Sequence, residues 1–174
     1  MINLFFDAEH PAPFIAQFLD SVDLVFGKMG LNVPQVVNIE QLRSLPLGTF
    51  GRTLADFLTE RQLTPFTSGP RRKQLHDSVH ILTGYDTDPI GEAEVQAFLL
   101  GAKFHIFHIL IGLGLLRMIR TQMKHNSTAL SPQVRDRLRQ AYQRGCNSSF
   151  DVDNWQLETM WSWPVERVQA FFQV

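Results

Sequence analysis

Apolar residues recur at helical spacing along almost the whole chain. Phe14, Ile15, Phe18, Leu19, Val22, Val25 and Phe26 form an i, i+3/i+4 stripe that Gly27, Gly30 and Pro34 close. A short helix is expected at residues 39–45. The run "LPLGTFGRTLADFLTERQL" predicts another, with Phe50, Leu54, Phe57 and Leu58 facing inward. "TPFTSGP" has the composition of a loop. A helix is expected from about residue 71 to 83, followed by Gly84 at the position where a left-handed backbone suits glycine. After "YDTD", Asp88 can cap a helix with Pro89 in its first turn, and that helix is expected to run to about Lys124. "LSPQVRDRLRQAYQRG" repeats the signature, with Ser131 as cap, Pro132 first and Gly145 at the end. The tail "NWQLETMWSWPVERVQAFF" reads as two short helices broken before Pro164. No run sustains the period-two alternation of a half-buried strand. The predicted fold is therefore all-α: one domain over residues 1–174, a helical bundle with a long central apolar helix.

That central segment, "AFLLGAKFHIFHILIGLGLLRMI" at 97–119, is long enough to cross a bilayer. However, Lys103, His105 and His108 fall in its first half, and a charge near a helix centre costs roughly 2.5–3.5 kcal/mol on insertion. A buried core helix is the simpler expectation, with the histidines as core residues. A second reading is a core helix that lines a lipid-sized groove. Gly101 and Gly112 would let a flat chain lie close to the backbone, and Phe98, Phe104, Phe107 and His108 would wall it.

The 174 residues suit one domain with its own core, and 44% apolar against 19% charged residues excludes a disordered chain. Fourteen Phe against two Tyr favour a greasy interior or pocket. The net charge is −1, and no segment has the basic excess of a nucleic-acid-binding protein. A single cysteine, Cys146, rules out an intrachain disulfide and fits a reducing compartment. The start "MINLFFDAEHPAP" has neither a basic n-region nor an Arg-rich character. The expectation is a cytoplasmic location without signal or transit peptide.

The chemistry concentrates in "LHDSVHILTGYDTDPIGE", residues 75–92. On a helix His76 and His80 lie about 40° apart around the axis, and Asp77 about 60° from His80. Glu92 follows across a tight turn, so a helical hairpin could return its carboxylate to the histidines. Two imidazoles with one or two carboxylates make a borderline donor set. It suits a divalent Zn, Fe, Mn or Co ion better than Ca, and Mg only weakly. Fewer than six protein ligands would leave positions open for substrate. Glu92 or Asp77 would be the group most able to move protons. The bland alternative is a solvent-facing polar patch. Arg71, Arg72 and Lys73, just upstream, are either a solvated face or cations that greet a carboxylate, phosphate or lipid headgroup.

His76-Asp77-x-x-His80, then eleven residues, then Glu92, resembles the H-D-x-x-H-x(11)-E signature of the Coq4-like family of coenzyme Q (ubiquinone) biosynthesis proteins. "LPLGTFGRTLADFL" and "LETMWSWPVERVQ" resemble two further blocks of that family, with Leu157 and Gln169 where the family has Trp and Arg, and Glu158 kept. The likeness covers roughly residues 40–170. It implies an all-α, often dimeric protein, peripheral at the membrane, working with other quinone-biosynthesis proteins. It also implies a metal held by His76, Asp77, His80 and Glu92. Two roles are implied: a metal-dependent enzyme that removes the ring carboxylate of a polyprenylated hydroxybenzoate, with hydroxylation at that carbon, or a non-catalytic isoprenoid-binding scaffold. A phosphohydrolase of the H-D type ranks behind both, because His10 is the only upstream histidine.

Overall fold

Short polar side chains mark where the helices begin. The computed structural model describes residues 32–103 and 132–174. Helix α1 (Ile39–Arg43) starts at Asn38, whose side chain accepts from the backbone N–H groups of Glu40 and Gln41. Helix α2 (Phe50–Glu60) starts at Thr49, whose hydroxyl accepts from the N–H of Arg52. Each such cap is worth about 1 kcal/mol against alanine. The helix expected over 71–83 forms as two pieces, α3 (Arg71–Gln74) and α4 (His76–Thr83). They are divided at Leu75, with φ −94° and ψ 0°. Leu75 N–H still bonds Arg71 O and Val79 N–H still bonds Leu75 O, so the break is a local change of pitch. Gly84 closes α4 at φ +75°, as its sequence position suggested.

Helix α5 (Pro89–Ala102) begins as expected, with Asp88 accepting from Gly91 N–H and Pro89 in the first turn. It ends well before Lys124. Lys103 is extended, at φ −150° and ψ 116°, and its ammonium pairs with Asp151 at 2.6 Å and Asp153 at 3.7 Å. The unbroken helix expected through Lys103 is thus corrected by a charge that finds its partners on a distant loop. Phe104, His105, Phe107, His108, Gly112 and Ser131, and the stripe from Phe14 to Phe26, lie outside the described residues. No described helix is long and apolar enough to cross a membrane. Helix α6 (Pro132–Asn147), a 3-10 turn (Leu157–Thr159) and α7 (Val165–Phe172) complete the chain, with Pro164 before the last helix as predicted. Helices make up the regular structure of the described residues, beside two isolated β-bridges, Asn32 with Pro70 and Thr49 with Pro164.

Helices α5 and α6 cross at glycine. A Cβ on Gly101 would lie 2.2 Å from Tyr142 O, and one on Gly145 would lie 2.0 Å from Phe98 O. The buried Glu94 carboxylate takes two hydrogen bonds from Arg137 across the same contact, at 2.8 and 2.6 Å. Phe98 is fully buried and packs on Phe150 with centroids 5.8 Å apart. The groove-lining reading of Phe98 and Gly101 is therefore corrected: one is core, the other a helix crossing. Trp155 anchors the core, meeting Phe50, Phe150 and Phe172 edge-on at 5.7, 5.0 and 6.0 Å. Such pairs add about 0.5–1.5 kcal/mol each beyond the area they bury. A smaller cluster of Val37, Leu42, Leu54, Ala55 and Leu58 seats α1 on α2.

The carboxy-terminal segment ties these layers together. Phe50 N–H donates to Trp163 O at 2.8 Å, and Gly51 N–H to Trp161 O at 2.9 Å. Gly51 permits that approach, because a Cβ there would meet Leu45, Leu42 and Trp161 within 3.2 Å. Arg71 reaches across to the Trp155 carbonyl and forks onto Glu158. The two outer sequence blocks that carry the resemblance thus meet in space, and the motif helix packs against both.

Candidate metal centre

One turn of α4 separates His76 from His80, and their rings lie edge to face with centroids 5.0 Å apart. Their Nε2 atoms are 3.3 Å from one another. The chain then leaves α4 through Gly84 and doubles back into α5. The return is tight because Gly91 sits against the turn: a Cβ there would lie 2.0 Å from Asp86 O. Asp88 takes the Gly91 N–H at 2.6 Å and holds the first turn of α5 in place. Glu92, the next residue, is delivered onto the histidines. Its two oxygens lie 3.1 Å from His76 Nε2 and 3.2 Å from His80 Nε2. One ligand atom from each of His76, His80 and Glu92 falls within 4.8 Å of the others. Asp77 is not one of the three. It lies beside them, close enough to feel the charge on His76, His80 and Glu92.

The donor chemistry fits a cation. His80 is buried, and its Nδ1 lies 3.1 Å from the Tyr85 carbonyl oxygen. Only an N–H can bond a carbonyl, so in the neutral ring Nδ1 carries the proton and Nε2 presents a lone pair. That Nε2 lies 3.2 Å from Glu92 Oε1 and 3.3 Å from His76 Nε2, so acceptors sit side by side. A positive centre between them resolves the conflict. A protonated His76 can serve as that centre, its Nε2 lying 3.1 Å from Glu92 Oε2 and 3.3 Å from His80 Nε2. Burial by itself lowers the His76 pKa, but the charge and hydrogen bond of Glu92, with Asp77 behind, lift it to about 9. Burial likewise raises Glu92, yet the two histidines hold it down to about 2. Burial pushes the Asp77 carboxyl above the usual range, with His76 and His80 opposing. A divalent ion would take the place of the His76 proton, with all three donors already aimed at it.

Helix α4 is held at its carboxy-terminal end by residues far away in sequence. Arg144 of α6 donates to Thr83 O at 2.6 Å, and its guanidinium lies 5.4 Å over the Tyr85 ring. Gln169 of α7 donates to Leu82 O at 3.0 Å. These contacts satisfy carbonyls that a helix end leaves open, and a cation there suits the helix dipole. They also fix Tyr85, whose carbonyl orients His80. Sequence reasoning missed Tyr85, Arg144 and Gly91. Only Gly91 left a local signal, the glycine immediately before Glu92.

The upstream cations are committed elsewhere. Arg71 is held by Glu158 and the Trp155 carbonyl, and Arg72 pairs with Asp153 at 3.2 Å. The Lys73 ammonium lies 4.5 Å over the Phe66 ring. Arg71 and Arg72 act in the fold as clamps on the carboxy-terminal segment. A cleft of about 350 Å³ lies against His80, with Phe57, Ile81, Tyr85 and Val165 among its walls. The Phe57 ring stacks beside the His80 imidazole, 6.2 Å between centroids and 22° between planes.

An all-α chain in which two imidazoles and a carboxylate focus on one point, beside a cleft of mixed lining, is a helical protein with a candidate metal centre. The family model for Coenzyme Q (ubiquinone) biosynthesis protein Coq4 matches residues 32–174, and the chain belongs to that family. Over 76 residues it is 33% identical to the mitochondrial "Ubiquinone biosynthesis protein COQ4 homolog" of Bos taurus, covering 36% of this chain and 29% of the relative. The corresponding Xenopus tropicalis protein is 34% identical over 76 residues, 36% of this chain and 27% of the relative. The match thus spans less than a third of these relatives' length. The fold is shared with a crystal structure of a protein from Nostoc punctiforme PCC 73102 named for ubiquinone biosynthesis. The TM-score is 0.65 at 18% identity, over 91% of this chain and 79% of the other.

Proposed function

We propose that the chain acts in ubiquinone-type quinone biosynthesis as a metal-dependent lyase on a polyprenylated hydroxybenzoate. The observation that carries this reading is the convergence of His76 Nε2, His80 Nε2 and the Glu92 carboxylate. A divalent ion of the Zn, Fe, Mn or Co class at that point, or Mg in excess, would supply a Lewis acid for a carboxylate or ring oxygen. His76, His80 and Glu92 hold the site, and His80 is kept in the ligating tautomer by Tyr85. Asp77, adjacent to the set and outside it, is the carboxyl left to accept or return a proton. Loss of the ring carboxylate as CO₂ leaves an electron pair on the ring carbon. Hydroxylation there then requires an external oxygen-atom donor. The prenyl tail would gain roughly 0.8 kcal/mol per buried methylene, which favours an apolar path and a membrane surface as its source. A second copy of the chain and other proteins of the pathway are the expected partners.

The test begins with mass spectrometry of metals and lipids retained by the purified protein. It continues with turnover of a prenylated hydroxybenzoate in the wild type and in His80→Ala. One ion per chain and turnover lost in the variant are expected. Turnover that survives in His80→Ala removes the metal from the mechanism. A retained metal and isoprenoid with no turnover under any oxidant would leave the scaffold role.

A further inference from the structure

Adjacent residues on a helix point about 100° apart, so neighbouring phenylalanines divide between two faces. In α7 Phe172 turns into the core at 8% exposure, and Phe171 stays out at 56%. Phe171 meets Phe172 edge-on, with centroids 4.9 Å apart and planes at 88°. Phe172 meets Trp155 in the same way, at 6.0 Å and 85°. These three rings line a cleft of about 300 Å³, at the lower end of small-molecule pockets. Met160 adds apolar wall, and Asp151 is the one charged side chain in the lining among the described residues. The cleft shares no residue with the metal centre or with the cleft beside His80.

We infer that this cleft binds a methylated ammonium group, the cation of choline and related quaternary amines. Charge and aromatic content point the same way. Burial pushes the Asp151 carboxyl up, but hydrogen bonds from Lys103 and Asn154 hold it below its ordinary range, so it is ionised at neutral pH. Lys103, its ion-pair partner, is not among the lining residues, so Asp151 is the charge the cleft presents. An anion would meet that carboxylate, and among the described residues the lining holds no base to offset it. A primary ammonium would need acceptors for three N–H groups. The polar rim is already engaged: Asp151 accepts from Lys103, Asn154 and the Asp153 N–H, and the Thr159 hydroxyl donates to Gln156 O. A quaternary ammonium has no N–H to satisfy. Its charge is spread over methyl groups, which pack on aromatic rings and are attracted by the ring quadrupole. Phe171, the most exposed of the three rings, is braced by Trp163, whose ring meets it at 5.9 Å and 79°. The aromatic wall is therefore set before a ligand arrives, which lowers the cost of ordering it.

Tetramethylammonium and choline are titrated into the full chain, with neohexyl alcohol as the uncharged isostere of choline, and nitrogen–proton spectra follow the Trp155 indole resonance. Both cations are expected to shift it saturably, and the alcohol to bind markedly less. Phe171→Leu keeps apolar bulk but removes the ring, and should weaken binding about three- to tenfold. Phe171→Trp should keep or tighten it, because indole is the best partner for a cation. Asp151→Asn should weaken it about fivefold, the size of one charge contact in water-like surroundings. Asp151 also pairs with Lys103, so melting curves accompany that variant, whereas Phe171 stands at the surface and its replacement spares the core. Zinc uptake should be unchanged in all three variants. Vesicles separate two sources of the group. Sedimentation with phosphatidylcholine but not phosphatidylglycerol vesicles, reversed by tetramethylammonium, assigns a lipid headgroup; binding of the soluble cations alone assigns a free small molecule. Equal binding of neohexyl alcohol overturns the inference. So does unaltered affinity in Phe171→Leu, or the absence of a saturable shift with either cation. Phe171-dependent binding in a chain that takes up no zinc would leave this inference standing while the metal centre fails.

Discussion

Replacing Gly91 with alanine tests how the metal centre is assembled. The added Cβ would lie 2.0 Å from Asp86 O, 2.6 Å from Asp86 C and 2.9 Å from Asp86 N. All three are backbone atoms, so no side chain can swing aside. Carbon and oxygen in ordinary contact stay about 3.3 Å apart or more. The turn between α4 and α5 must therefore open by more than about 1 Å. Glu92 is the next residue, and its oxygens sit at 3.1 and 3.2 Å from the two imidazoles. A shift of that size carries them beyond hydrogen-bonding range. Overpacking of this kind costs about 1–3 kcal/mol in stability. Disturbing a residue that orients a ligand lowers metal affinity about 10–100-fold. Gly84→Ala is the matched control at the other end of the turn. There φ is +75° but no atom lies within 4 Å of the new Cβ. The cost there is backbone strain of about 1 kcal/mol, with Glu92 left in place. Zinc affinity by competition with a chromogenic chelator, together with thermal melts, separates the two effects. Wild-type zinc affinity in Gly91→Ala, or equal losses in both variants, would refute the argument.

His80→Ala removes the ligand whose tautomer Tyr85 sets. Retained zinc, measured by plasma mass spectrometry after dialysis, is expected to fall below one ion per ten chains, in line with losing one of three ligands. Glu158→Gln bears on acid stability. The Arg71 hydrogen bond holds the Glu158 carboxyl below its ordinary 4.5, so its contribution is full above that pH and is lost as pH falls through the folded value. In urea titrations the variant should unfold earlier than wild type near neutrality, and the gap should close well below pH 4.5. A gap that persists in acid would remove the ion pair as its cause. Gly145→Ala drives a Cβ to 2.0 Å from Phe98 O and should cost about 1–3 kcal/mol by denaturant titration. An unchanged midpoint would show that α5 and α6 can separate without penalty.

Elements written in neighbouring residues were legible in the sequence. Asp88 followed by Pro89 marks the start of α5 because cap and first turn are local, and Gly84 ends α4 for the same reason. The pairing of His76 with His80 follows from helix pitch alone. Glu92 was within reach of inference because the intervening turn is short. Misreadings arose where a partner lies far along the chain. An apolar run gives no stop signal at Ala102; the stop appears only when Lys103 meets Asp151, 48 residues on. Arg71 looked like a surface cation until Glu158, 87 residues away, took it. For Phe98 and Gly101, periodicity said inside but could not say against what, and the answer was Phe150 and α6 rather than a groove.

The same division bears on how the centre works. Local sequence aims His76, His80 and Glu92 at one point, but α4 is only eight residues long and would be marginal alone. Its rigidity comes from outside. Arg144 and Gln169 hold the carbonyls at one end, and Arg71, just before it, is anchored on Glu158 and Trp155 O at the other. Every one of those anchors belongs to the last third of the chain, and none touches the ligand atoms. Substitutions in residues 144–169 can therefore change metal affinity through the set of α4, by the few-kilocalorie scale of buried charge-assisted hydrogen bonds. Arg144→Met is the sharpest case, because it frees the Thr83 carbonyl and uncovers Tyr85 together. It should shift the His80 imidazole nitrogen resonances toward a mixture of tautomers while the fold persists. Resonances that stay at the single Nδ1–H tautomer would mean that the Tyr85 carbonyl needs no support from α6.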